Sequence, residues 1–278
     1  MPTIAIARSK KPKKPSRRQP VTRLIASFLG LSLCWGGFLL HPRSARADSP
    51  ETAPPELTTL IQEIDAAANR QDLREVMQFY SRKFTHSDGL TYKTLEKALR
   101  ELWTRYPNIK YRTEILSWEE DGNQVVAETE TRIVGVETLA DRDLALTATV
   151  RSRQRYENQK LIRQDILAEN TEVVSGKNPP ELTVNLPEEV GIGERFGFDA
   201  IVTEPLGEDL LLGSALEEPI RVNSYFIPTN LRIETLSSGG IFKIGQAPAL
   251  PENLWISAIL IRHDGITAIT KRLRAIAE

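Results

Sequence analysis

Gln124-Val125-Val126-Ala127-Glu128-Thr129-Glu130-Thr131-Arg132-Ile133 alternates with a period of two, placing Val125, Ala127, Thr129, Thr131 and Ile133 on one face and Glu128, Glu130 and Arg132 on the other. That is the signature of a half-buried strand. Upstream, Asp121-Gly122-Asn123 supplies a turn, and Ile109, Tyr111 and Ile115 begin the strand before it. Downstream, a loop around Asp141-Arg142-Asp143 leads to a third strand with Leu144, Leu146, Ala148, Val150, Ser152, Gln154 and Tyr156 in phase. Asn158-Gln159 then turns the chain back through Ile162, Gln164, Ile166 and Ala168. The result is a long antiparallel meander.

Before the meander the period is helical. Leu57, Leu60, Ile61, Ile64, Ala67 and Ala68 mark one amphipathic helix, Leu73, Val76, Met77 and Tyr80 a second, and Leu95, Ala98, Leu99, Leu102, Trp103 and Tyr106 a third. Pro107 ends the third, because the residue before a proline avoids helical geometry. Three helices and a curved antiparallel sheet over residues 56–174 make an α+β domain. Ser175-Gly176-Lys177-Asn178-Pro179-Pro180 is a cluster of breakers and marks the boundary. From 175 to 278 the chain reads as an all-β sandwich, with short alternating runs such as Leu182-Val184-Leu186 and Phe196-Phe198-Ala200-Val202. Asp264-Gly265 joins the apolar run Leu254 to Ile261 to Ile266 through Leu273 as a hairpin. Both alternating sets of that run are largely apolar, so one of its faces is expected to cover the preceding domain or a partner.

The 278 residues carry a formal charge of −1, but the first 47 hold ten Lys/Arg and no Asp/Glu, leaving 26 basic against 37 acidic residues and a net −11 beyond them. An acidic body of that kind argues against nucleic acid as a partner. The basic stretch to Arg23, the uncharged run Leu24 to Leu40 and Ala45-Arg46-Ala47 have the order of a signal peptide, 1–47, followed by a linker, 48–55. Export across the cytoplasmic membrane to a periplasm or equivalent lumen follows. The alternative is an uncleaved N-terminal anchor, the one reading that gives the chain a membrane association. Cys34, the single cysteine, lies within the uncharged run, so the body has no thiol for a disulfide or a thiolate metal site.

The order of helix, helix, short segment Phe84 to Gly89, helix and long strands resembles the nuclear transport factor 2-like (SnoaL-like) fold, a cone of bent sheet wrapped on three helices. Ile115-Leu116-Ser117-Trp118-Glu119-Glu120-Asp121-Gly122-Asn123 and Arg153-Gln154-Arg155-Tyr156-Glu157-Asn158 resemble its meander hairpins. The resemblance implies a superfamily that includes ketosteroid isomerases, polyketide cyclases and dehydratases, and also binding and assembly domains without chemistry. The second domain resembles an immunoglobulin-like accessory module of exported bacterial proteins.

Fold alone does not choose among these functions. If the apolar sheet face is the concave one, it offers Thr129, Thr131, Ser152, Gln154, Tyr156 and Gln164, none of them a carboxylate or histidine. With Trp103 they are candidate ligand-binding residues for a small apolar ligand. His86, in His86-Ser87-Asp88-Gly89, is the one credible general base, with Tyr80 or Tyr92 as hydrogen-bond donor. Histidine and carboxylate spacing gives no metal site, and no cofactor motif is found: Gly191-Ile192-Gly193-Glu194-Arg195-Phe196-Gly197 has its third glycine one residue late for a dinucleotide fingerprint. The expectation is a non-catalytic, extracytoplasmic ligand-binding or protein-assembly module, with a homodimer or other protein as possible partner. The alternative is a small-molecule lyase or isomerase using His86.

Overall fold

The computed structural model describes residues 47–140, 142–205, 209–227, 229–236 and 238–277. The expected signal peptide or anchor lies outside them; no helix among the described residues is long and apolar enough to cross a membrane. The elements run α1 (Pro55–Asn69), α2 (Leu73–Gln78), β1 (Tyr80–His86), α3 (Tyr92–Arg105), β2 (Lys110–Asp121), β3 (Gln124–Leu139), β4 (Arg142–Glu157) and β5 (Lys160–Gly176). They continue as β6 (Leu182–Asn185), β7 (Glu189–Gly191), β8 (Arg195–Val202), β9 (Leu212–Pro219), β10 (Glu234–Thr235), β11 (Gly240–Gln246), β12 (Glu252–Arg262) and β13 (Gly265–Ile276). Strand predominates.

Local chemistry sets the helix ends. Pro55 opens α1, where a missing N–H costs nothing. The Asp72 carboxylate accepts from Glu75 N at 2.9 Å to cap α2. Thr91 and Thr94 form a reciprocal capping box on α3. Asn158 and Gln159, at φ 49° and 58°, make the tight β4–β5 turn.

β2 to β5 form the meander, with Thr129 opposite Ser152 and Ala127 opposite Gln154 between β3 and β4. Irregularities at Ile115/Ser117, Arg151/Ser152 and Arg155/Tyr156 interrupt the ladders, and bulges of this kind bend strands. The helices cover the odd face of β3 and the even face of β4 through two apolar clusters. One joins Ala67, Ala68, Val76 and Trp103 to Leu146 and Ala148; the other joins Leu57, Leu60, Ile61 and Phe84 to Ala127 and Tyr156. Glu130, Arg132 and Arg153 are exposed on the opposite face.

The boundary at 175–180 is not a separating linker. β5 runs through Ser175 to Gly176, and β13 pairs with it antiparallel from Lys271 opposite Asn170 to Gly265 opposite Gly176. One sheet of ten strands therefore continues from the meander into the second half, in the order β10-β9-β12-β13-β5-β4-β3-β2. β1, parallel to β5 at Tyr80/Leu161 and His86/Gln164, uses the same edge of β5 further back. The breaker residues instead turn the chain from β5 toward β6. Arg262 holds that turn, donating to Asn178 O at 2.9 Å and pairing with Asp264 at 3.0 Å and Glu204 at 2.8 Å.

A second sheet, β11-β8-β6, faces the large one. Phe196, Phe198, Ala200 and Ile241 from it pack on Leu254, Ile256, Ala258, Leu260, Ile269 and Leu273. The even residues of β12 are thus consumed in this core, while Trp255, Ser257, Ile259 and Ile261 lie half-buried on the other face.

Candidate functional site

The polar groups proposed for the concave face are brought together, and they bond to each other. Thr129 and Ser152, fully buried opposite one another, share a hydrogen bond at 3.2 Å. Gln154 and Gln164 each donate to Ser152 Oγ at 3.3 Å. Tyr156 donates to Gln154 Oε1. Thr131 shares a hydrogen bond with Thr113 at 3.0 Å, and Trp103 Nε1 donates to Tyr111 OH at 2.9 Å within the core. A polar layer satisfied in this way fixes the register between β3, β4 and β5.

The same face carries one carboxylate that strand periodicity did not offer. Asp65 comes from α1, and accepts from Thr113 N at 2.6 Å and Thr113 Oγ1 at 2.8 Å. Burial raises its pKa, only partly countered by those two hydrogen bonds. Burial also pushes the Tyr80 phenol up to about 12, with the charges of Tyr111 and Asp65 adding to the effect. The signal for Asp65 was available: it stands four residues after Ile61 and three before Ala68, on the buried stripe of a helix.

Tyr80 and Tyr92 line a cleft of about 820 Å³ bounded by α2, β1, α3 and Lys160 after the β4–β5 turn. His86 is not among its walls. Tyr92 OH donates to Met77 O at 3.2 Å, and the Tyr80 ring meets Phe84 edge-on at 5.1 Å.

His86 instead belongs to the seam where β1 ends and β13 begins along β5. Ser87 N donates to Gln164 O at 3.0 Å, and Ser87 Oγ accepts from Ile166 N at 3.1 Å, so the turn caps the strand edge left between them. That places Asp88, wholly buried, against Arg272 from β13 in a bidentate pair, 2.8 Å on both oxygens. Tyr225, from the short 3₁₀ turn Val222–Tyr225, donates to Asp88 at 2.6 Å. Arg272 also reaches Glu169 of β5 at 3.0 Å, and Trp255 Nε1 donates to the same carboxylate oxygen at 3.0 Å. The half-buried face of β12 therefore does meet the first half of the chain, through Trp255, whose ring packs edge-on against Tyr225 at 5.0 Å.

Electrostatics follow from this enclosure. Burial favours the neutral form of Asp88, but hydrogen bonds and charge from Arg272, with Tyr225 OH, outweigh it and hold the carboxyl below its ordinary value. Burial lowers the His86 pKa; Asp88 and Asp165 oppose this, and Arg272 and Arg163 reinforce it. His86 Nδ1 accepts from Asp88 N at 3.1 Å, which leaves the proton of the neutral ring on Nε2. Because the unfolded chain protonates His86 near 6.5 and the folded chain only lower, stability falls as pH drops below 6.5. His86→Gln should flatten that part of the unfolding free energy against pH, removing a slope of at most about 1.4 kcal/mol per unit. Denaturant titrations between pH 7 and 5 measure it, and an unchanged slope would show that other groups cause it.

A family model described as a domain of unknown function, DUF8623, matches residues 177–276. No curated protein matches the chain. Among solved structures, the chain is similar to Bd1075 of Bdellovibrio bacteriovorus, with 19% identity, a TM-score of 0.30, and 40% of this chain and 38% of that one covered. It thus spans less than two-fifths of that protein's length. A putative scytalone dehydratase from Novosphingobium aromaticivorans is 10% identical with a TM-score of 0.35, covering 40% of this chain and 80% of that one. A putative polyketide cyclase from Xanthomonas campestris is 18% identical with a TM-score of 0.29, covering 40% and 88%.

Proposed function

We propose that this chain is an exported, non-catalytic binding or assembly module, a nuclear transport factor 2-like domain fused through one sheet to an immunoglobulin-like sandwich. One observation carries the reading: His86 and Asp88 are committed to the protein's own seam, and Asp65, the carboxylate on the concave face, is taken by Thr113 N and Oγ1. Asp88 is held by Arg272 and Tyr225, and His86 Nδ1 already accepts a backbone N–H two residues on. A general base needs hydrogen-bond reach to a substrate, and the lyase or isomerase alternative pairs His86 with Tyr80 or Tyr92 as donor. Tyr80 and Tyr92 line a cleft whose walls do not include His86. The buried hydroxyls and amides of the concave face are likewise bonded among themselves, an arrangement that organises a scaffold.

The test is recovery of the native complex. Protein purified from its own compartment should carry a small molecule or a protein partner, identified by mass spectrometry. Incubated again with fresh protein, a bound small molecule should return unchanged. Conversion to a product would overturn the non-catalytic reading in favour of a lyase or isomerase, and native protein with neither ligand nor partner would overturn the binding reading itself.

A further inference from the structure

The cleft that holds Tyr80 and Tyr92 has a composition at odds with the rest of the protein. Its floor is apolar and aromatic, formed by Met77, Tyr92 and Tyr80. Around it stand Arg74, Arg82, Arg100 and Lys160, against a single carboxylate, Glu96. Arg100 takes that carboxylate at 3.0 Å. Arg74 and Arg82 have no carboxylate within ion-pair distance among the described residues. Beyond residue 47 the chain has a net charge of −11, so a local excess of positive charge on one concavity runs against the composition.

We propose that this cleft binds a small organic anion, a carboxylate or phosphate carried on an apolar or aromatic body. The proposal rests on the binding reading above and names its ligand class. Four separate elements converge to build the site: α2 brings Arg74 and Met77, β1 brings Tyr80 and Arg82, α3 brings Tyr92 and Arg100, and the start of β5 brings Lys160. The Arg82 guanidinium lies 4.3 Å above the Tyr92 ring. Stacking occupies a guanidinium's face and orients the plane, leaving its N–H edge for a carboxylate or phosphate oxygen. Lys160 Nζ is steadied by Gln78 O, a contact that uses one of its donors. At about 820 Å³ the cleft is in the size range of small-molecule sites. An inorganic ion would leave the aromatic floor unused, and a neutral apolar ligand would leave the arginines unused.

The experiment uses isothermal titration of the full chain with 1-naphthoate, its neutral analogue 1-naphthalenemethanol, and inorganic phosphate, at low and high salt. Naphthoate should bind at least about tenfold tighter than the alcohol, and weaken with salt. The double variant Arg74→Gln/Arg82→Gln should lose about tenfold for naphthoate and little for the alcohol. Both side chains belong to exposed residues, and the lost stacking of Arg82 on Tyr92 is worth only about 0.5–1 kcal/mol, so the variant should stay folded with an unfolding temperature within a few degrees of wild type, and the exposed Arg232→Gln should leave all affinities unchanged. Equal affinity for acid and alcohol, or undiminished naphthoate binding by the double variant, would overturn the proposal. Phosphate binding as tight as naphthoate would overturn its organic part. Chemical change of the bound acid, read by mass spectrometry on the same samples, would overturn the non-catalytic reading while supporting the anion site.

Discussion

Arg272→Met should destabilise the protein by about 3–5 kcal/mol, the usual cost of removing one partner from a buried ion pair. Arg272 and Asp88 side chains are both fully enclosed, so the Asp88 carboxylate would be left with Tyr225, the Ser87 hydroxyl at 3.2 Å and a long contact from Asn253 Nδ2 at 3.4 Å, all of them neutral donors. A charge stranded in that position either stays ionised at high cost or takes up a proton, and its pKa should then rise above the ordinary carboxylate value. In the wild type the sign is opposite. Asp88 is depressed, so its contribution is present above the unfolded value near 3.8 and is lost as pH falls through the lower folded value. Urea titration at pH 7 should therefore show the full penalty in Arg272→Met, shrinking toward pH 3. Adding Asp88→Asn to Arg272→Met should recover part of it, because an amide strands no charge. A double variant no more stable than Arg272→Met, or a single variant within about 1 kcal/mol of wild type, would mean that water relieves the pair and the seam is open.

The reach of sequence reasoning divides along the same seam. Alternation made the meander legible because a strand with one buried face must put every second residue inside: Thr129, Ser152 and Gln154 are all buried as the period of two required. The period of 3.6 marked the helices in the same way, but it also assigned Tyr80 to the second of them, whereas α2 ends at Gln78 and Tyr80 opens β1. What period cannot carry is pairing between distant segments. Asp88 and Arg272 are 184 positions apart, and nothing local distinguishes Asp88 from an ordinary turn aspartate. Arg272 is no more distinct, standing in Lys271-Arg272-Leu273-Arg274, where only its place on the strand face separates it from its basic neighbours. His86-Ser87-Asp88 is conspicuous as a polar cluster, but the sequence could not say whether it faced a ligand or the protein's own strand edge.

The breaker cluster was also conspicuous, and its meaning changed for a geometric reason: Gly176→Ala should destabilise the protein by roughly 2–4 kcal/mol, far more than a linker glycine would. Gly176 has φ +101°, outside the range an L side chain adopts comfortably. A Cβ there would lie 2.5 Å from Asp264 O and 2.7 Å from Gly265 Cα, both backbone atoms of the hairpin that pairs with β5. Gly265 stands opposite, with its own Cβ position 2.3 Å from Pro179 Cα, so neither strand has room to move away. Backbone cannot yield as a flexible side chain does, and the substitution must part β5 from β13. Gly122→Ala is the matched control, with φ +66° and nothing within 4 Å of an added Cβ, so it should lose only about 1–2 kcal/mol for the left-handed conformation. Unfolding midpoints compare the two. Amide exchange should locate the extra loss in the ladder from Asn170 to Gly176 and its β13 partners, with the β2–β3 ladder unaffected. If Gly176→Ala cost no more than Gly122→Ala, β5 and β13 would be loosely joined and the two halves free to move. If it costs several times more with exchange rising at that ladder alone, the shared strand is what holds the two halves as one body.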